Sequence, residues 1–196
     1  MSTTKTLPRA AKRPSARKNS GWRWAGFIAI PLALAILVAV STVFETGDTG
    51  PEEAIQFELP TTDGNTIALN ETLAGGDTLL YFSMGVGCDG CFTQIPEIET
   101  ALAERGLSLL SIMVDPAPMV AAEAARFGIE TPILIDTGAR VSEEYGMLGV
   151  YGHADLPSHS FALVRQNGTI GWVRHYAEMF VPSDILFAEL DSALGI

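Results

Sequence analysis

Apolar and polar positions follow two regimes along this chain. Residues 25–44, AGFIAIPLALAILVAVSTVF, form one long apolar run without a charge. From residue 55 onward the apolar residues come instead in short runs, separated by segments in which they recur at helical spacing. The short runs predict strands and the periodic segments predict helices. IQFELP and NTIAL flank TTDGN, whose Asp63-Gly64 pair signals a hairpin. Residues 78–84, TLLYFSM, read as a buried strand, and residues 91–102 as a helix that puts Ile95, Ile98 and Leu102 on one face and stops at Gly106.

A second buried strand, LSLLSIMVD, runs into Pro116. PMVAAEAARFG then predicts a helix closed by Gly128, TPILID a strand, and GARVSEEYG a helix closed by Gly146. SFALV and TIGWVRHY, joined at Asn167-Gly168, form the strongest hairpin signal, and VPSDILFAELDSAL closes the chain as a helix starting near Ser183 or Asp184. Strands alternating with helices and ending in a hairpin and helix predict an α/β sandwich with a mixed central sheet over residues 55–196, long enough to bury a real core.

The apolar run has a different destination. Its twenty residues, at helical rise, cover roughly 30 Å, the thickness of a bilayer's hydrocarbon core. Trp22 and Trp24 stand where aromatic rings favour the headgroup layer. The run is longer than the roughly 7 to 15 apolar residues of a cleaved secretory signal, so a retained anchor is the expectation. Four segments follow: a basic cytoplasmic tail at 1–24, a transmembrane helix at 25–44, a linker at 45–54 rich in Gly, Thr and acids, and the α/β domain at 55–196.

Charge supports that division. The seven basic residues Lys5, Arg9, Lys12, Arg13, Arg17, Lys18 and Arg23 precede the apolar run, whereas all 23 acidic residues follow it, against five Arg and no Lys, a formal −18. Positive residues stay on the cytoplasmic side, which predicts a single-pass cell-membrane protein with its C-terminal domain outside the cytoplasm. Such acidity excludes nucleic acid as a partner; lipid, through residues 25–44, is one instead.

The only two cysteines, Cys88 and Cys91, lie at the predicted join of strand 78–84 and the helix after it, among Gly85, Gly87 and Gly90. A helix N-terminus stabilises a thiolate, and a partner one turn later can close a disulfide, so Cys88 is the candidate nucleophile and Cys91 the resolving residue. Asp89 opposes that effect on the thiolate. Taken alone, one C-x-x-C also fits half a zinc site, completed from His153, His159 and His175, or a structural bridge.

YFSMGVGCDGCFTQIPEIE resembles the active-site region of the thioredoxin superfamily, with Pro96 five residues after Cys91 where that superfamily kinks its first helix. FELPTTDGNTIAL before it and SFALVRQNGTIGWVRHY after it resemble the redoxin branch, which includes alkyl hydroperoxide reductases, thiol-specific antioxidant proteins and membrane-tethered thiol-disulfide oxidoreductases. The resemblance implies a thioredoxin-like sandwich, an enzyme exchanging a Cys88–Cys91 dithiol with protein thiols and disulfides, no cofactor, and a redox partner protein.

Departures weigh between the branches. Peroxiredoxins resemble one another in a Thr or Ser three residues before the reactive Cys and a Pro further upstream; here Gly85 holds the first place and Tyr81 stands seven before Cys88. An Arg expected near the SFALV strand is replaced by His159. A peroxiredoxin-like peroxidase is therefore the alternative rather than the first reading. The thiol-disulfide branch lacks its Trp, replaced by Gly87, and the acid that some members carry three residues after the second Cys, replaced by Gln94. Counting back from Gly168, the place of that branch's cis-proline falls on His159, and Pro157 is the nearest candidate. His159 is expected to stabilise the Cys88 thiolate as a cation or to shuttle a proton, the other reading being a loop histidine bonded to main chain. Cys88, Cys91 and His159 also resemble the copper site of membrane-tethered copper-delivery proteins, although those separate their cysteines by three residues rather than two.

Overall fold

In the computed structural model, which describes residues 53–196 of the protein, the central strand β3 (Thr78–Phe82) is buried at every position. Such a strand has two cores to fill, and the pleat divides it: Leu79 and Tyr81 join one apolar cluster, Leu80 and Phe82 the other. Its neighbours are β4 (Ser108–Met113), parallel to it, and β6 (His159–Val164), antiparallel. Two further strands, β5 (Leu134–Ile135) and β7 (Ile170–Tyr176), complete a mixed sheet of order β5-β4-β3-β6-β7.

On one face the cluster is closed by α2 (Asp89–Glu104), through Phe92, Ile95, Ile98 and Leu102, by α3 (Ala117–Arg126), and by α5 (Ser183–Leu194) through Leu186, Phe187 and Leu190. The opposite face is covered by a small antiparallel hairpin of β1 (Glu58–Pro60) and β2 (Thr66–Ala68), by α1 (Leu69–Leu73) and by α4 (Arg140–Glu144). This is the expected α/β sandwich with a mixed sheet. Arg105 and Asp191, joined by two bonds of 2.7 and 2.9 Å, fasten the end of α2 to α5.

Most boundaries follow from the pattern. Gly64, with φ +86°, turns the first hairpin, and the β6–β7 turn falls at Asn167-Gly168. Two expectations change. The run TPILID yields a strand of only two residues, because Pro132 has no N–H to give and Ile133 bonds instead to Thr62, donating to its Oγ1 at 3.1 Å and accepting from its N–H at 2.9 Å. The folded body also begins before Ile55: the Ala54 N–H donates to the Gly168 carbonyl at 2.8 Å, and Glu53 bridges Thr169. The expected transmembrane helix at residues 25–44 and the basic tail lie outside the described residues, among which no helix is long and apolar enough to cross a membrane.

Candidate active site

The chain leaves β3 at Phe82 and enters α2 at Cys88 through five residues that contain Gly85 and Gly87, both at positive φ (+81° and +94°). That region suits glycine. Gly85 has a second reason: the Asp115 carboxylate, just beyond the end of β4, accepts the Val86 N–H at 2.8 Å and occupies the space a Gly85 side chain would need. The loop is thus held from the neighbouring strand, and it delivers Cys88 to the N-cap of α2.

Cys88 and Cys91 form a disulfide across the first turn, with Cα atoms 5.3 Å apart. The Cys91 N–H points at the Cys88 sulfur, 3.2 Å away, one of the unpaired donors that a helix N-terminus offers. Cys91 is fully buried, whereas Cys88 retains 5% of its surface. The arrangement thus ranks the two sulfurs by access, with Cys88 outermost. Asp89, on the exposed side of the same turn, lies 2.5 Å from the Arg126 guanidinium at the end of α3, which also binds Glu123 at 2.7 Å. That guanidinium sits 4.4 Å over the Phe127 ring, and Phe127 stacks on Phe92 at 5.6 Å. Arg126 thereby counters the carboxylate that stands between the cysteines, a compensation that no local signal announced.

His159 begins β6. Because Tyr81 pairs with Phe161 and side chains alternate, His159 and Phe161 share the face of Tyr81, the face against which α2 packs. There the imidazole is fully buried. Its Nδ1 lies 2.9 Å from the Tyr81 hydroxyl and its Nε2 3.2 Å from Gln94 Oε1. Tyr81 Oη in turn lies 3.2 Å from the Cys91 carbonyl oxygen. Burial lowers the His159 pKa to about 4 and holds the Tyr81 phenol well above its ordinary value. With the cysteines joined as a disulfide, His159 is therefore a neutral group near pH 7, a hydrogen-bonding or proton-handling residue rather than a cation.

Pro157, two residues earlier, is buried, and its main chain bridges Leu148. All described peptide bonds are trans, that before Pro157 included, so the expected cis bond is not present there. His175 lies on the other face of the sheet from His159, with its Nδ1 2.7 Å from Ser160 Oγ, and His153 is half-buried in the loop after Gly152. Neither joins the cysteines. Among the described residues no three His, Cys, Asp or Glu side chains are grouped to hold a metal, and both nitrogens of His159 are already engaged.

Comparison with known proteins adds the ancestry. Residues 51–173 match the AhpC/TSA family. The chain belongs to that family. The thiol-disulfide oxidoreductase ResA of Halalkalibacterium halodurans is 31% identical over 100 residues, which span 49% of this chain and 56% of that protein. The chain thus matches only a little over half the length of this curated relative. Peroxidoxin BcpB of Mycobacterium tuberculosis superposes with a TM-score of 0.58 at 22% identity, covering 74% of this chain and 94% of the other. A secreted disulfide oxidoreductase of the same organism superposes at 0.55 and 15% identity, covering 70% and 96%. Identities this low establish the thioredoxin-like fold and no more. Around the cysteines this chain gathers Tyr81, Gln94, Arg126 and His159. Of these, Tyr81 carried one legible sign, a phenol inside an otherwise apolar strand.

Proposed function

We propose that this AhpC/TSA protein is a membrane-anchored, extracytoplasmic thiol-disulfide oxidoreductase that exchanges the Cys88–Cys91 pair with protein thiols. The observation that carries the reading is the pair itself: a disulfide at a helix N-terminus, one sulfur outermost and the other fully buried. The similarity to ResA supports it. So does the charge asymmetry about residues 25–44, the pattern expected of a domain held outside the cytoplasm, where disulfides form.

In the oxidising direction a substrate thiolate attacks Cys88 Sγ. The Cys88–Cys91 bond breaks, and Cys91 leaves with the electron pair as a thiolate stabilised by the first-turn N–H groups. A second substrate thiolate then attacks the substrate sulfur of the mixed disulfide and releases Cys88. The substrate loses two electrons to the protein, and two thiol protons accompany them. In the reducing direction Cys88 attacks a substrate disulfide and Cys91 resolves the intermediate. His159 serves as a neutral hydrogen-bonding group behind Cys91, and the Pro157 loop lies beside the partner. A second redox protein must return the pair to its starting state; no cofactor takes part.

Peroxide reduction is the second reading, favoured by the family itself. Against it stands Gly85, which puts no hydroxyl three residues before Cys88 and brings the Asp115 carboxylate to the loop instead. Copper delivery through Cys88, Cys91 and His159 would require His159 to give up its bond to Tyr81 or Gln94. Assaying the full chain for reduction and oxidation of a dithiol protein substrate tests the proposal: Cys88→Ser removes exchange, and Cys91→Ser accumulates a mixed disulfide. Unimpaired exchange in Cys88→Ser would end it. A reporter fused to the C-terminus tests the topology, which a cytoplasmic signal would overturn.

A further inference from the structure

Gln94 stands one helical turn beyond Cys91, fully buried, and the orientation of its amide is determined by its surroundings. The Val181 main-chain N–H, which can only donate, lies 2.7 Å from Oε1. Reversing the amide would set two donors against each other. With Oε1 so placed, the His159 Nε2 at 3.2 Å must carry a hydrogen to bond to it. The neutral ring then has a bare Nδ1, and the Tyr81 hydroxyl at 2.9 Å is its donor. Tyr81 has one hydrogen and a second acceptor, the Cys91 carbonyl at 3.2 Å. A proton arriving at Nδ1 would make the Tyr81 oxygen an acceptor there and turn its hydrogen toward Cys91.

The side chains that bond or stack on the imidazole are Tyr81, Gln94 and Phe161, none of them charged, so no ion pair competes with this arrangement. The Gln94 amide nitrogen has no hydrogen-bond partner among the described residues. A buried glutamine satisfied only at its oxygen calls for an explanation in what that oxygen holds in place.

We infer that Gln94 is a positioning residue of the exchange reaction: it fixes His159 as the Nε2–H tautomer and so commits the Tyr81 hydroxyl to a two-way bond between Nδ1 and the turn that carries Cys91. This rests on the dithiol-exchange reading above. The link is geometric, because Tyr81 meets the main chain of Cys91.

The test is nitrogen NMR of the full chain labelled at histidine, with His159 assigned by its loss in His159→Gln, alongside exchange rates. Native protein gives the Nε2–H pattern. In Gln94→Met, which keeps bulk but removes the acceptor, the two ring nitrogens move toward the average of both tautomers and exchange slows by about tenfold, less than general acid–base groups typically supply. Gln94→Glu retains an acceptor, keeps the Nε2–H pattern and raises the pH at which His159 titrates. An unchanged pattern in Gln94→Met, an altered pattern with unchanged exchange, or an unshifted His159 titration in Gln94→Glu would overturn the inference. Exchange surviving in Cys88→Ser would instead remove the reading beneath it, whatever the ring nitrogens report.

Discussion

The Tyr81 hydroxyl lies 2.9 Å from His159 Nδ1, although 78 positions separate the two residues along the chain. Sheet register makes the pair: Tyr81 opposes Phe161, and the pleat returns His159 to the same face. Burial lowers the imidazole to about 4, against an ordinary 6.5. The unfolded chain therefore binds a proton between those values that the native protein does not. Native stability is full above pH 6.5 and declines as pH falls toward 4, by on the order of 3 kcal/mol from this residue. Urea unfolding at pH 7 and pH 4.5 measures it. The native protein loses more stability over that interval than His159→Gln does; equal losses would contradict the assignment.

Arg126 and Asp89, 2.5 Å apart and both exposed, set the charge beside Cys88. In the reduced protein, Asp89→Asn should lower the Cys88 thiol pKa and Arg126→Gln should raise it. Because Arg126 acts by countering Asp89, its substitution should have little effect in the Asp89→Asn background. Rates of thiol alkylation against pH read all four proteins.

Gly90 lies in the first turn of α2, where an added Cβ would come within 2.5 Å of the Met179 carbonyl oxygen. Main chain cannot swing aside as a flexible side chain can. Gly90→Ala should therefore cost about 1–3 kcal/mol of stability, typical of overpacking, and should slow exchange by displacing the segment next to the cysteines. Thermal unfolding and the exchange assay check both. A variant as stable as the native protein would show that the helix and this segment are not in contact in solution.

The order of strands and helices was legible because β3, β4 and β6 are dense in apolar residues and α2 repeats its apolar positions at Ile95, Ile98 and Leu102. Cys88 and Cys91 were legible because strand, glycine turn and helix declare themselves locally. The surroundings of His159 were not. Tyr81, Gln94 and Val181 reach it from three separate segments, and the departure of Gln94 from an expected acid gave no hint that its oxygen would face both an imidazole and a main-chain N–H. His159 was expected in a loop, as a cation, a proton shuttle or a residue bonded to main chain, whereas register places the ring inside the sandwich. TPILID fell short of a full strand because its pairing with Thr62 depends on a hairpin seventy positions away.

The most direct test of the central claim is a redox titration of the purified full chain against a glutathione buffer, following the Cys88 and Cys91 thiols, with and without one equivalent of copper(I). A dithiol-exchange protein gives a single reversible two-electron transition, indifferent to substoichiometric copper and absent from Cys88→Ser. A pair that stays oxidised throughout the titration, or one whose oxidation is blocked by tight one-to-one copper binding that weakens in His159→Ala, would contradict it.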